Sequence, residues 1–371
     1  MDGFTDCAFR QIVKEIFDEY GEKDTYELVL WTEFMNADGY IINPPGVIKH
    51  LLTDKNQDKV IAQIFWGNEE MLTKCFSDIE KKYFLNVEGR MQNAEKNSEL
   101  WTLNSEFSFA GIELNMGCPA RNVMNTGWGS ALLKDKENTL EIVKKLSWAM
   151  KMPFSIKTRT GINEEDRNNQ MKFLIEISNY VDMITIHGRT VKQAYTGDAD
   201  WDFMYELKNK VQGKRDKEQG PSPKSHVPEC KIIWNWGIRS YDDIEKAKWN
   251  LDGIMIGQAA IGNPRIFTPH IPSREEIKET ILKHLDLMIS YENYFQEQKE
   301  NFTGILTMPS SDIIWHHLKK SSVIIISEFR KHLFQYVKWI PWSKEFKQKV
   351  ATIVDYDQLV KEIQEFSSLS E

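Results

Sequence analysis

The stretch Gly111-Ile112-Glu113-Leu114-Asn115-Met116-Gly117-Cys118-Pro119 reads as a short buried strand, Gly111 to Leu114, followed at once by a loop that carries a lone thiol. A cysteine held at a strand's carboxyl end can serve as a proton donor. Three later strands end in comparable chemistry: Ile156-Lys157-Thr158-Arg159, Ile186-His187-Gly188-Arg189 and Ile233-Trp234-Asn235-Trp236-Gly237. The recurrence makes the strand ends, rather than any single motif, the place to look for function.

Working outward, short β-rich runs alternate with longer segments of helical period, the pattern of repeated βα units. The runs are Leu28–Trp31, Val60–Phe65, Gly111–Asn115, Phe154–Lys157, Met183–His187, Lys231–Asn235 and Gly253–Gly257. Helices are expected over Ala8–Tyr20, Glu70–Lys82, Lys136–Met150 and Arg167–Tyr180. Seven strands call for an eighth to close a TIM (βα)8 barrel, and Asp2-Gly3-Phe4-Thr5-Asp6 reads as the loop after a strand missing before Met1. Two polar inserts, Asn86 to Ser108 and Gly213 to Glu229, read as surface excursions. After about Pro272 the strand signals stop. Arg274–Gln298, Asp312–Lys338, Ser343–Thr352 and Asp357–Phe366 have helical period. The expected division is an α/β barrel over residues 1–271 and an all-helical domain over 272–371.

Composition agrees. The chain has 371 residues, 41% of them hydrophobic, and no apolar run approaches the roughly 20 residues of a membrane span. Its start lacks the basic and apolar regions of a signal peptide, and its four scattered cysteines outline no disulfide framework, so a reducing cytoplasm is expected. Net charge of −8 argues against indiscriminate nucleic-acid binding. Between Lys319 and Lys349, however, eight basic residues face two acidic ones, a patch suited to a phosphate backbone or simply to solvent.

In a parallel βα barrel, side chains from several strands converge at the carboxyl mouth. Lys157 and His187 stand there, placed to hydrogen-bond a polar planar ligand or merely to cap their strands. Here the chain resembles the tRNA-dihydrouridine synthases. The matching segments are Met1-Asp2-Gly3-Phe4-Thr5-Asp6 with Phe9-Arg10, Thr32-Glu33-Phe34, Gln63-Ile64-Phe65, Asn115-Met116-Gly117-Cys118-Pro119, Lys157-Thr158-Arg159, His187-Gly188-Arg189-Thr190, Tyr195-Thr196-Gly197, Gly257-Gln258-Ala259-Ala260 and Phe329-Arg330-Lys331-His332.

The resemblance implies an FMN enzyme that reduces the C5–C6 bond of specific tRNA uridines, with NADPH as reductant and Cys118 as proton donor. It implies flavin contacts from Met1, Asp2, Gln63, Asn115, Lys157 and His187. The FMN phosphate would lie on Asn235, Trp236 and Gly237 and on Gly257 and Gln258. Arg159 and Arg189 become candidate substrate contacts. Neither a metal, a membrane nor a stable protein partner is implied. A thiol suits the role because its ordinary pKa, about 8.5, leaves it protonated at neutral pH yet able to donate. Cys7, Cys75 and Cys230 lack such a context.

Tryptophans mark the departure from that pattern. Trp66, Trp128, Trp234, Trp236, Trp249, Trp339 and Trp342 stand where the family has or tolerates glycine, with Trp148 a weaker case. An indole cannot fit a phosphate cradle that glycine leaves open. The 20 glycines make up about 5.4% of the chain against a usual level of about 7%, and moving those seven across restores it. A genome that reads UGA as glycine, translated here with UGA as tryptophan, accounts for both facts. Three rival functions remain at this stage: an FMN barrel acting on free pyrimidines, a tRNA-binding protein whose flavin site is blocked by Trp234 and Trp236, and a Schiff-base aldolase using Lys157.

Overall fold

Side-chain alternation along each strand sends successive residues to opposite faces of a sheet, and here it sorts them by chemistry. The computed structural model describes residues 1, 3–65, 68–82, 109–120, 124, 127, 129–215, 230–247, 251–299, 307–308 and 322–366. The expected insert over 86–108 lies outside these, as does the second insert from residue 216 onward. The strands are Leu30–Trp31 (β1), Met35–Asn36 (β2), Thr53–Asp54 (β3), Val60–Phe65 (β4), Gly111–Asn115 (β5), Phe154–Arg159 (β6), Met183–His187 (β7), Lys231–Asn235 (β8), Gly253–Met255 (β9) and Thr307–Met308 (β10). Each of the seven apolar runs holds a strand, Leu28–Trp31 only in its last two residues and Gly253–Gly257 only in its first three. β6 runs two residues further than its apolar core, and so carries Arg159 as its last residue.

The chain divides into two units. The second comprises Phe34–Ile48 and Ile61–Gly257. Its sheet is parallel, in the order β2-β4-β5-β6-β7-β8-β9, with helices Glu69–Glu80, Lys136–Ala149, Arg167–Ile177, Trp201–Arg215 and Tyr241–Ala247 in the crossovers. This is a TIM-barrel-like α/β arrangement, a curled run of parallel strands with flanking helices.

Register sets odd-numbered residues on one face and even-numbered residues on the other. Ile64, Leu114, Ile156, Ile184 and Ile232 stand side by side across five strands. All five are fully buried, each contributing about 1.5–3 kcal/mol relative to exposure. The opposite face carries Gln63, Glu113, Asn115, Ser155, Lys157, Arg159, Thr185, His187 and Asn235. At the amino ends of the strands, carboxylates hold backbone: Glu80 accepts the Lys151 and Met152 N–H groups, Asp182 that of Phe154, and Asp252 that of Ile232. Asp252 also pairs with the buried Lys208 at 2.7 Å.

The first unit comprises Met1–Glu33, Lys49–Val60 and Gln258–Glu371. Its helices Cys7–Tyr20, Arg274–Lys299, Ser322–Tyr336, Ser343–Val350 and Tyr356–Gln364 form the helical region expected after residue 272, joined by the chain's N-terminal helix. The helix expected over 312–338 is seen from Ser322, with 312–321 outside the described residues. Among the described residues no helix is long and apolar enough to cross a membrane.

Asp6 opens the first helix by accepting the Phe9 N–H at 2.8 Å. The same carboxylate stands 3.5 Å from His332 Nε2 and 4.0 Å from His284 Nε2, both histidines being fully buried. Burial works to raise the Asp6 pKa, but His332 and the Phe9 N–H outweigh it and hold the carboxyl below the ordinary range. Burial pushes His284 down from 6.5 to about 3. A histidine whose pKa falls on folding stabilises fully above its unfolded value and loses that stability as pH drops toward the folded one. Denaturant unfolding followed from about pH 7 to pH 4 should therefore show stability falling, with His284 supplying about 1.4 kcal/mol per pH unit. His284→Gln should flatten the curve by that amount. An unchanged slope in the variant would remove His284 as its source.

Candidate functional site

At the carboxyl edge of the second unit's sheet the odd-numbered face becomes a linked polar layer. Glu113, fully buried in β5, accepts Gln63 Nε2–H at 2.6 Å and Thr185 Oγ–H at 3.3 Å. Gln63 in turn accepts from Asn115 Nδ2–H at 3.1 Å. Asn115 Oδ1 then caps the following loop, taking the N–H groups of Gly117 and Cys118, each at 3.1 Å. A buried carboxylate is thus connected through two amides to the backbone that carries the thiol. Gly117 permits this path because a Cβ there would meet the Thr158 backbone at 3.3 Å. Cys118 is partly exposed, whereas Cys7, Cys75 and Cys230 are buried.

Lys157 and Asn115 are register partners, as are Arg159 with His187 and His187 with Asn235. Burial lowers the Lys157 pKa against the opposing pull of Glu113. Its ammonium makes no hydrogen bond among the described residues. Burial, then the charges of Arg159, Lys157 and Arg189, push His187 down to about 2. The imidazole is neutral at physiological pH, and its buried Nε2 has no hydrogen-bond partner among the described residues. Lys157, Arg159 and Arg189 around a neutral imidazole favour an anionic or electron-rich planar ligand.

Arg159 is only 2% exposed. Its Nε donates to the Gly117 carbonyl at 2.8 Å and its Nη1 to those of Thr190 and Ala194 at 3.0 and 2.9 Å. It ties the Cys118 loop to the loop after β7, and its Nη2 makes no hydrogen bond among the described residues. Arg189 holds the Gly197 carbonyl through Nε and Nη2, and its buried Nη1 has no hydrogen-bond partner among the described residues. Asn235 closes the layer by donating to the Met255 carbonyl at 2.8 Å. Past it, the indole of Trp236 lies 4.8 Å from the His187 ring and 4.4 Å from the Arg189 guanidinium. Trp234, on the opposite face, is fully buried and stacks on Trp201 at 3.9 Å.

Of the expected site residues, Gln63, Asn115, Cys118, Lys157, Arg159, His187, Arg189, Asn235, Trp236 and Gly237 lie on this edge or the loops after it. Gly257 follows β9 in the same unit. Met1 and Gln258 belong to the first unit, and Asp2 lies outside the described residues. Three members of the layer escape a sequence reading. Glu113 is a lone carboxylate within an apolar run, and its odd spacing with Asn115 was the available signal. Thr185 shares its face. Tyr195, within the quoted Tyr195-Thr196-Gly197, sets its ring 5.8 Å from the Arg159 guanidinium.

A family model for the dihydrouridine synthases matches residues 91–370. The chain is similar to a probable tRNA-dihydrouridine synthase of Rickettsia conorii, 30% identical over 261 residues covering 69% of this chain and 67% of that one. It is also similar to tRNA-dihydrouridine synthase B of Pseudomonas syringae, 28% identical over 270 residues covering 71% and 69%. A third relative, the tRNA-dihydrouridine(47) synthase [NAD(P)(+)] of Coprinopsis cinerea, is 35% identical over 188 residues, 49% of this chain and 26% of that one.

The chain belongs to the dihydrouridine synthase family. The matched span runs from before β5 through the C-terminal helices, so it takes in the thiol loop and the cationic strand ends of this family member. Its four thiols give a direct probe of the loop. Iodoacetamide should alkylate Cys118 first in the folded protein, the other three being buried. Asn115→Ala, which frees both loop N–H groups, should speed that alkylation several-fold and cost about 1–3 kcal/mol of stability. Equal rates in the two proteins would deny Asn115 its hold on the loop.

Proposed function

We propose that this chain reduces a uridine of tRNA to 5,6-dihydrouridine, with FMN as its bound cofactor, NADPH as the reductant and Cys118 as the proton donor. The observation that carries the reading is one sheet edge bearing a partly exposed thiol, a lysine that makes no hydrogen bond among the described residues and a neutral imidazole. The relatives' names point to the same reaction, and one names NAD(P)(+).

The ring side of the site suits a flavin. Lys157 is the natural partner for negative charge on the ring, and His187 Nε2, buried and with no hydrogen-bond partner among the described residues, can meet a ring heteroatom. Gln63 and Asn115 would present amide edges. The phosphate side does not suit it as written, because the Trp236 indole fills the space against His187 and Arg189. Bound FMN supplies hydride chemistry. The chain's own part is to hold a uracil edge near Cys118, keep the Cys118 proton on Sγ until it is needed at carbon, and keep positive charge close by. Asn115 fixes where that proton stands, and Arg159 braces the same loop. The uridine must leave its stack to arrive there.

The region 272–371 is the proposed grip on tRNA, and 1–271 the catalytic part. Not every basic residue of the patch is available for phosphate. Lys349 pairs with Glu362, and Arg330 donates to the carbonyls of Ala351 and Ile353. Lys338, Lys344 and Lys347 carry no ion pair among the described residues and are the proposed contacts. Four cysteines at scattered positions, with no disulfide framework in their spacing, suit a reducing cytoplasm.

Indole packing at Trp236 favours one rival reading, a tRNA-binding protein with a blocked flavin site. Dihydrouridine mapping decides between them. Cys118→Ala, made with or without glycine at 236, should lower product formation by about 10²–10⁴ while leaving flavin content and tRNA affinity unchanged. Full activity would remove Cys118 from its role, and tRNA binding without product in every form would favour the rival. Replacing Lys338, Lys344 and Lys347 by alanine should weaken tRNA binding and reduce the slope of log affinity against log salt by about 2–3. An unaltered slope would place the grip elsewhere.

A further inference from the structure

Backbone torsion singles out two tryptophans. Among the described residues only three non-glycines have positive φ: Ala194 at 52°, Trp236 at 117° and Trp342 at 63°. A φ near +117° is glycine territory, since a Cβ collides there with the chain's own backbone, and even the left-handed region is an outlier for a bulky side chain. Trp236 is followed by Gly237 at 88°, so the backbone makes two successive positive-φ steps directly after β8. Trp342 stands at the N-cap of the Ser343–Val350 helix and makes no side-chain cap bond. Glycine is accepted at that position; tryptophan has neither a capping oxygen nor tolerance of the torsion.

The side chains themselves give little in return. The Trp342 indole is 73% exposed, and that of Trp339, three residues earlier, 86%. Trp236 meets the His187 ring edge-on and lies under the Arg189 guanidinium, two side chains whose buried nitrogens Nε2 and Nη1 have no hydrogen-bond partner among the described residues.

We infer that the functional protein carries glycine at positions 236 and 342, decoded here as tryptophan. The same single-codon reassignment extends to Trp66, Trp128 and Trp249, which lie outside the described residues, and to Trp339. Trp234 is a different case: buried, stacked on Trp201 and without a strained torsion, it gets no support from the backbone. A glycine at 236 makes residues 236–237 a bare turn at the end of β8 and removes the indole that lies against His187 and Arg189, leaving backbone of the kind that accepts an anion. That consequence rests on the proposed flavin reading; the torsional argument does not.

The coding DNA is the first test. UGA at codons 236 and 342 supports the inference, and UGG at either overturns it there. Trp342→Gly should raise the unfolding midpoint above that of both the parent and Trp342→Ala, because alanine meets the same torsional penalty. Equal midpoints for glycine and alanine would overturn the backbone argument. The full chain with Trp236→Gly should bind added FMN at least tenfold more tightly than the parent, read by quenching of flavin fluorescence. Absent FMN binding, with UGA codons and the Trp342 result in hand, would defeat the flavin reading and leave the glycine inference standing. An equal FMN affinity in parent and variant would show that the indole blocks nothing.

Discussion

The buried carboxylate of Glu113 is the constraint on which the site depends. A buried carboxyl group must be hydrogen-bonded or matched by charge. Glu113 takes hydrogen bonds from Gln63 and Thr185 and faces the ammonium of Lys157 across the strands. Each of those partners belongs to a different strand of one parallel sheet, so satisfying a single carboxylate fixes four strands' side chains relative to each other. The same chain of bonds then reaches Asn115 and, through it, the loop that bears Cys118.

Electrostatics at the mouth follow from that arrangement. One anion lies below and three cations lie near the rim, where burial costs them solvation without returning a full set of ion pairs. The tension appears as lowered pKa values for Lys157 and Arg159 and a neutral His187. Such an excess of positive over negative charge suits a place where negative charge arrives or develops, as with an electron-rich ring or a phosphate. By contrast, the opposite edge of the sheet has carboxylates bonded to strand N–H groups, an arrangement that stabilises and offers nothing to a ligand.

The tryptophans show how far a backbone can be read against its side chains. At Trp236 and Trp342 the conformation required by the neighbouring strand end and helix start is one that suits glycine. Local propensity and tertiary demand disagree at these points, and among the described residues Ala194 is the one other non-glycine with positive φ. Consistency elsewhere makes these positions stand out.

Periodicity alone determined that this is a βα protein with a helical C-terminal region, because runs such as Ile184–Ile186 and the 136–149 helix bury their apolar residues by local geometry that any neighbour would require. The strand-end residues Cys118, Lys157 and His187 were legible too, since a polar group after an apolar strand can only emerge at its carboxyl end. Only the tertiary structure decided what those residues touch. Glu113 looked like an interruption of β5 until register placed it opposite Gln63 and near Thr185, residues 50 and 72 positions away. Arg159, read as a substrate contact, has two of its guanidinium nitrogens bound to three carbonyls on two loops, a fact set by chain crossings that no spacing rule encodes. Hydrogen bonds between distant strands depend on register, and register is a property of the assembled sheet.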